Sequence, residues 1–147
     1  MRVFGLTILL FSLTLPIGAQ QAQPATATFS QADAETLVRT LQDGLEGHNL
    51  NRFLSAFDRD QMIDYRDFSD QVAALFSRTD AFRVNLHVTQ IEDAGDGRAN
   101  VTMDAQMEIT PRDSVRPDRR ETTLNFQVAK SAQGWCVVDL APREFFY

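Results

Sequence analysis

The sequence predicts an α+β fold: three N-terminal helices on one face of a curved four-strand antiparallel sheet. Two observations carry this. Arg98–Ile109 alternates without exception, with Ala99, Val101, Met103, Ala105, Met107 and Ile109 apolar and every residue between them polar. Side chains alternate across a strand, so this pattern buries one face and wets the other, as in an antiparallel sheet covered on one side. Upstream the period changes: Phe68, Val72, Leu75 and Phe76 fall at helical spacing. Helices before strands, in separate runs, mark the α+β class.

At 147 residues the chain has the size of one domain, and 44% apolar residues with 11 Phe supply a core. Net charge is −6, and −7 once Arg2 is removed with the first 19 residues. That charge disfavours nonspecific nucleic-acid binding, which depends on neutralising phosphates, and no nucleic-acid partner is expected.

The N-terminus reads as a secretory signal. Arg2 is its basic start, Val3–Leu15 its apolar stretch, and Ile17-Gly18-Ala19 its small-residue cleavage site. Thirteen apolar residues are too few to span a bilayer, so no stable membrane insertion is expected after cleavage near Ala19. The implied address is periplasmic or secreted. Residues 1–19 are thus the signal peptide, 20–29 a disordered leader rich in Gln, Ala, Thr and Pro, and 30–147 the folded domain. Cys136 is the lone cysteine, so an internal disulfide is excluded and stability rests on the core.

Ser30 with Asp33 forms a capping pair, with Phe29 as staple, and opens the first helix. Ala34, Leu37, Val38, Leu41 and Leu45 make its apolar stripe, and Gly47 is a plausible stop. Asn49 or Asn51 caps a short second helix with Phe53, Leu54 and Phe57. The third helix is expected over 67–77. The first strand places Phe82, Val84, Leu86 and Val88 inward, and Ile91 breaks that parity, which suggests a bulge. Asp93–Gly97 is a hairpin connection. An Arg-rich link follows, then a third strand with Leu124, Phe126 and Val128 inward, and a fourth from Trp135 to Leu140. Phe145-Phe146-Tyr147 is expected to plug the core beneath the first helix.

Three phrases carry a resemblance: Leu45-Glu46-Gly47-His48-Asn49, Phe53-Leu54-Ser55-Ala56-Phe57-Asp58, and Gly134-Trp135-Cys136-Val137-Val138-Asp139-Leu140. In this order they resemble the nuclear transport factor 2-like superfamily, which includes the SnoaL-like polyketide cyclases. The resemblance covers Ser30 to Tyr147 and implies a cystatin-like cone. It also implies a short strand between the second and third helices, for which 58–67 leaves little room. The superfamily holds isomerases, dehydratases and cyclases as well as noncatalytic modules, so fold does not give function. A catalytic member would hold an Asp–His or Asp–Tyr pair inside the cone.

The candidate ligand-pocket residues are Asp64, Tyr65, Trp135 and Asp139. Asp64 and Tyr65 lie in a charged rim between helices. Asp139 shares parity with Trp135; facing inward, it would be a carboxylate in an apolar hollow with a raised pKa, and facing outward, ordinary surface. Apolar residues stand at both parities of this strand, so neither is chosen. His87 falls at an outward position and His48 after the first helix, without metal-ligand spacing. No catalytic set is assembled, and no cofactor or metal motif is found. The leading expectation is a noncatalytic exported module that binds a small apolar or amphipathic ligand in the cone or serves as a dimerisation module. A homodimer through the outer sheet row Asn100, Thr102, Asp104 and Gln106 is the expected partner, and a SnoaL-like acid–base enzyme is the alternative.

Overall fold

A computed structural model describes residues 28–147, and the expected signal peptide and most of the expected leader lie outside the described residues. The order is α1 (Gln31–Glu46), α2 (Leu50–Leu54), α3 (Tyr65–Ser77), β1 (Thr79–Gly95), β2 (Arg98–Pro111), β3 (Asp118–Ser131) and β4 (Gly134–Ala141), then a short 3₁₀ turn, Arg143–Phe146. The strands form one antiparallel meander in sequence order. No described helix is long and apolar enough to cross a membrane.

The capping box at Ser30 forms as read. Ser30 Oγ accepts from the Asp33 N–H at 3.2 Å, and the Ser30 N–H donates to Asp33 Oδ2 at 2.9 Å. These bonds satisfy otherwise orphaned groups at the helix start, and Ser30→Ala is expected to cost about 1 kcal/mol in chemical denaturation. The Ser30 hydroxyl and N–H hold the Asp33 carboxyl below its ordinary value of 3.8; Lys130 adds to this, and slight burial opposes it. A depressed pKa stabilises above the unfolded value and loses that contribution as pH falls through the folded one. Asp33→Asn should therefore lose stability near neutral pH and lose less than the parent on acidification. Phe29, assigned by sequence to the leader, is buried edge-on to Trp135, with ring centroids 5.1 Å apart.

α1 ends at Gly47. The left-handed residue there is His48 (φ 51°), and Gly47 itself is not left-handed. Gly44 has the tighter constraint. A Cβ on it would stand 2.5 Å from the Phe53 backbone nitrogen and 2.6 Å from its Cα. α2 thus crosses α1 at a contact only glycine admits. Asn49 caps α2, accepting from the Arg52 N–H at 3.0 Å.

α3 begins at Tyr65, two residues before the expected start, after Asp64 in the left-handed region (φ 57°). Its buried stripe is Phe68, Val72, Leu75 and Phe76, as expected. Between α2 and α3 the implied strand shrinks to a single parallel bridge, Phe57 with Val137. The Asp58 N–H donates to Val137 O at 2.8 Å, and the Val137 N–H to Ala56 O at 2.8 Å.

All six apolar residues of the alternating stretch are buried. The β1 register shifts between Val88 and Gln90, and this bulge returns Ile91 to the inner face opposite Val101. The β1–β2 connection is tighter than the five residues read from the sequence. Strands reach Gly95 and Arg98, leaving Asp96 and Gly97, both at positive φ (52° and 69°), the signature of a type I′ hairpin.

The space between sheet and helices is filled. Phe53 lies 5.3 Å from Phe57, 6.0 Å from Phe76 and 5.2 Å from Phe146, centroid to centroid. Phe57 lies 4.9 Å from Phe68. Phe126, Met103 and Leu124 close the sheet side, each fully buried. The C-terminal aromatics do plug the core, with Phe146 against Phe53 of α2 and Tyr147 6.4 Å from Phe68 of α3, and so beneath α2 and α3 where the sequence reading put them beneath the first helix.

Candidate functional site: a cleft beside the α2–α3 connection

A cleft of about 580 Å³ opens between the end of α2, the 55–65 connection and the β3–β4 turn. Its apolar surface is Leu54, Phe57, Ala132 and Cys136; its polar surface includes Asn51, Asp58, Arg59, Asp60, Tyr65 and Gln133. The bridge at Phe57 ties the connection to β4 and so holds the two walls together.

Asp58 shapes one wall. Its Oδ1 accepts from the N–H groups of Asp60 at 2.9 Å and Gln61 at 3.0 Å, and its Oδ2 from Gln61 Nε2 at 3.0 Å. Burial pushes its pKa up, but these three donors outweigh that and leave it below the ordinary value. Asp58 is therefore an ionised turn-former whose oxygens are already engaged, which suits it poorly to act as a base. Arg59 lies over the Tyr65 ring, 6.0 Å from its centroid. Cys136 is buried at the cleft floor, with Sγ 3.5 Å from Ser131 Oγ.

Of the four residues singled out in the sequence, Tyr65 lines this cleft. Asp64 sets the left-handed entry to α3 and is exposed. Trp135 packs against Phe29, with Lys130 Nζ 5.4 Å from its ring centroid. Asp139 is a correction to the inward alternative. It pairs with Gln127 on the outer face, its side chain is 59% exposed, and its Oδ1 accepts from Arg143 Nη2 at 2.8 Å. The cause is a register shift between Gln127 and Val128. It leaves Val137 and Leu140 both inward, three residues apart, and turns Asp139 out. Asn51, Cys136 and Gln133 were not read as cleft residues. They come from two separated segments, α2 and the β3–β4 hairpin, which the Phe57–Val137 bridge ties together.

Thr79 is the only buried polar or charged residue among those described. No carboxylate, imidazole or phenol is fully buried among the described residues. His87 is exposed on β1 opposite Asp104. His48 is exposed beside Phe76 and Phe82, at centroid distances of 5.3 and 5.9 Å.

No protein-family model and no curated protein matches the sequence. Solved structures do. A nuclear transport factor 2-like superfamily protein from Salmonella enterica serovar Typhimurium aligns at 10% identity over 74% of this chain and 86% of its own, with a TM-score of 0.65. A ketosteroid isomerase-like protein from Erwinia carotovora atroseptica aligns at 12% identity over 72% and 88%, with a TM-score of 0.60. A hexachlorocyclohexane dehydrochlorinase aligns at 11% identity over 74% and 80%, with a TM-score of 0.59. These neighbours include a named enzyme and a protein named for its superfamily alone. What they share with this chain is the fold, the nuclear transport factor 2-like cone.

Proposed function

We propose that this chain is an exported, noncatalytic domain of the nuclear transport factor 2-like type, binding a small ligand in the Tyr65 cleft. The observation that carries the reading is the filled interior. Acid–base chemistry inside a cone needs a carboxylate or imidazole held against the substrate. The aromatic cluster around Phe53 occupies that space, and Asp139, the residue an enzyme would have needed most, lies on the other side of the sheet. The Tyr65 cleft offers what a binding site requires: a concave apolar floor with a few polar groups at its edge. Export rests on Arg2, the apolar run Val3–Leu15 and the Ile17-Gly18-Ala19 cleavage pattern.

The test is native mass spectrometry of the protein purified gently from the cells that make it. A retained small molecule is expected on the parent chain. Ala132 is exposed at the cleft edge, so Ala132→Trp should fill the cleft without touching the core, and the added mass should be lost. A ligand held equally by both forms would place the site elsewhere. The same spectrum reads subunit number. A dimer would bring in the outer sheet face, where Thr102 Oγ1 bonds Asn125 Oδ1 at 3.2 Å and Thr123 Oγ1 bonds Asp104 Oδ1 at 3.1 Å.

A further inference from the structure

A second cleft, of about 300 Å³, lies between the end of α3 and the start of β3. Leu75, Ile109 and Pro111 give it an apolar wall, and Arg78 and Arg120 bring two guanidinium groups. Asp113 and Asp118 also line it. Thr79 borders it, and its hydroxyl is the one buried side-chain polar atom without a partner among the described residues.

The charges here are poorly matched. Arg120 Nε meets Asp118 Oδ2 only at 3.4 Å, and that carboxylate's side chain is 58% exposed. A long, exposed pair contributes little. Arg78 has no ion pair among the described residues.

Arg120 lies opposite Met107, on the inner side of the sheet, with its side chain only 25% exposed. Its Nη1 faces three main-chain oxygens of the C-terminal segment: Glu144 at 3.2 Å, Phe145 at 3.0 Å and Tyr147 at 2.9 Å. An amino nitrogen of a guanidinium carries two protons, so three acceptors must share them. The second amino nitrogen, Nη2, has no hydrogen bond among the described residues. A guanidinium fork holds a carboxylate through two parallel, charge-assisted bonds. Here Nη2 is idle, Nη1 is shared among main-chain oxygens, and Nε meets Asp118 only at 3.4 Å.

The geometry points to a binding site for a small organic carboxylate with a short aliphatic or single-ring body. The Arg120 fork takes its carboxylate, Arg78 supplies a second positive charge, and the body lies against Leu75, Ile109 and Pro111. Arg120 also ties down the C-terminal segment, so a carboxylate on the fork competes with the main-chain oxygens of Glu144, Phe145 and Tyr147. Binding and loosening of that segment are therefore coupled. This site is separate from the Tyr65 cleft and does not depend on the function proposed for it.

The experiment is a two-dimensional amide NMR titration of the full chain with octanoate, with 1-octanol as the uncharged control. Octanoate is expected to shift the amides of Arg78, Thr79 and Arg119–Glu121, and to speed amide exchange in Phe145–Tyr147. Octanol should bind about tenfold more weakly, for want of the carboxylate. Arg120→Gln should weaken octanoate by about tenfold. Because that change also unties the C-terminal segment, Arg78→Gln is the second variant. Its side chain is exposed and bonds nothing in that segment, and a loss of about threefold is expected. Equal binding of octanoate and octanol, no saturable binding, or shifts confined to the surroundings of Tyr65 and Gln133 would each overturn the assignment.

Discussion

Gly44→Ala is expected to destabilise the fold by about 3 kcal/mol, although alanine is intrinsically the better helix former by about 1 kcal/mol. The propensity term and the packing term oppose each other here, and the distances decide between them. The new methyl would stand 2.5 Å from Phe53 N, 2.6 Å from its Cα and 2.7 Å from its Cβ. Two of these are backbone atoms, which cannot turn aside as the end of a flexible side chain can. α2 must move off α1, and Phe53 must leave its place among Phe57, Phe76 and Phe146. Urea denaturation of parent and variant measures the cost. A Gly44→Ala protein as stable as the parent would mean that the two helices do not cross so closely.

Phe53→Ala is expected to cost about 4 kcal/mol, the range for a fully buried aromatic ring cut to a methyl. Phe53 is completely buried and touches rings from the α2–α3 connection, from α3 and from the C-terminal turn. Its removal leaves a cavity whose walls belong to three separate segments, so collapse around it is restricted. Phe53→Ala should not rescue Gly44→Ala, because alanine at 53 keeps the same N, Cα and Cβ that the new methyl meets. A double variant more stable than Gly44→Ala alone would show that the side chain, and not the backbone, sets the contact.

The elements most legible in the sequence were those whose pattern and packing agree. The alternation of Arg98–Ile109 leaves one way to bury six apolar side chains, and the sheet uses it. The Ser30–Asp33 box and the α3 stripe are local signals and hold for the same reason. β4 was not legible, because Cys136, Val137 and Val138 are all buried and a strand apolar at both parities does not announce its face. A register shift against β3 decided that face, and with it the place of Asp139. The Tyr65 cleft was hidden for a different reason. Asp58 to Tyr65 reads as a charged turn, and Ser131 to Gln133 as a hairpin end. Neither carries a signal of the other, and the bridge that joins them is one residue long. The close approach of Phe53 to Gly44 has no local sign in the sequence, because the two residues belong to different helices.

A closed interior with a ligand at the surface has one direct test. Met103 and Met107 line the inner face of the sheet and are buried there, so their methyl groups report on the interior. Methyl NMR of methionine-labelled protein, followed while a small-molecule extract of the producing cells is added, should leave the Met103 and Met107 signals in place. Amide signals of Asn51, Tyr65 and Gln133 should move in the same samples. Movement of the Met103 and Met107 methyls, with the cleft amides unchanged, would contradict the reading and put the ligand inside the cone.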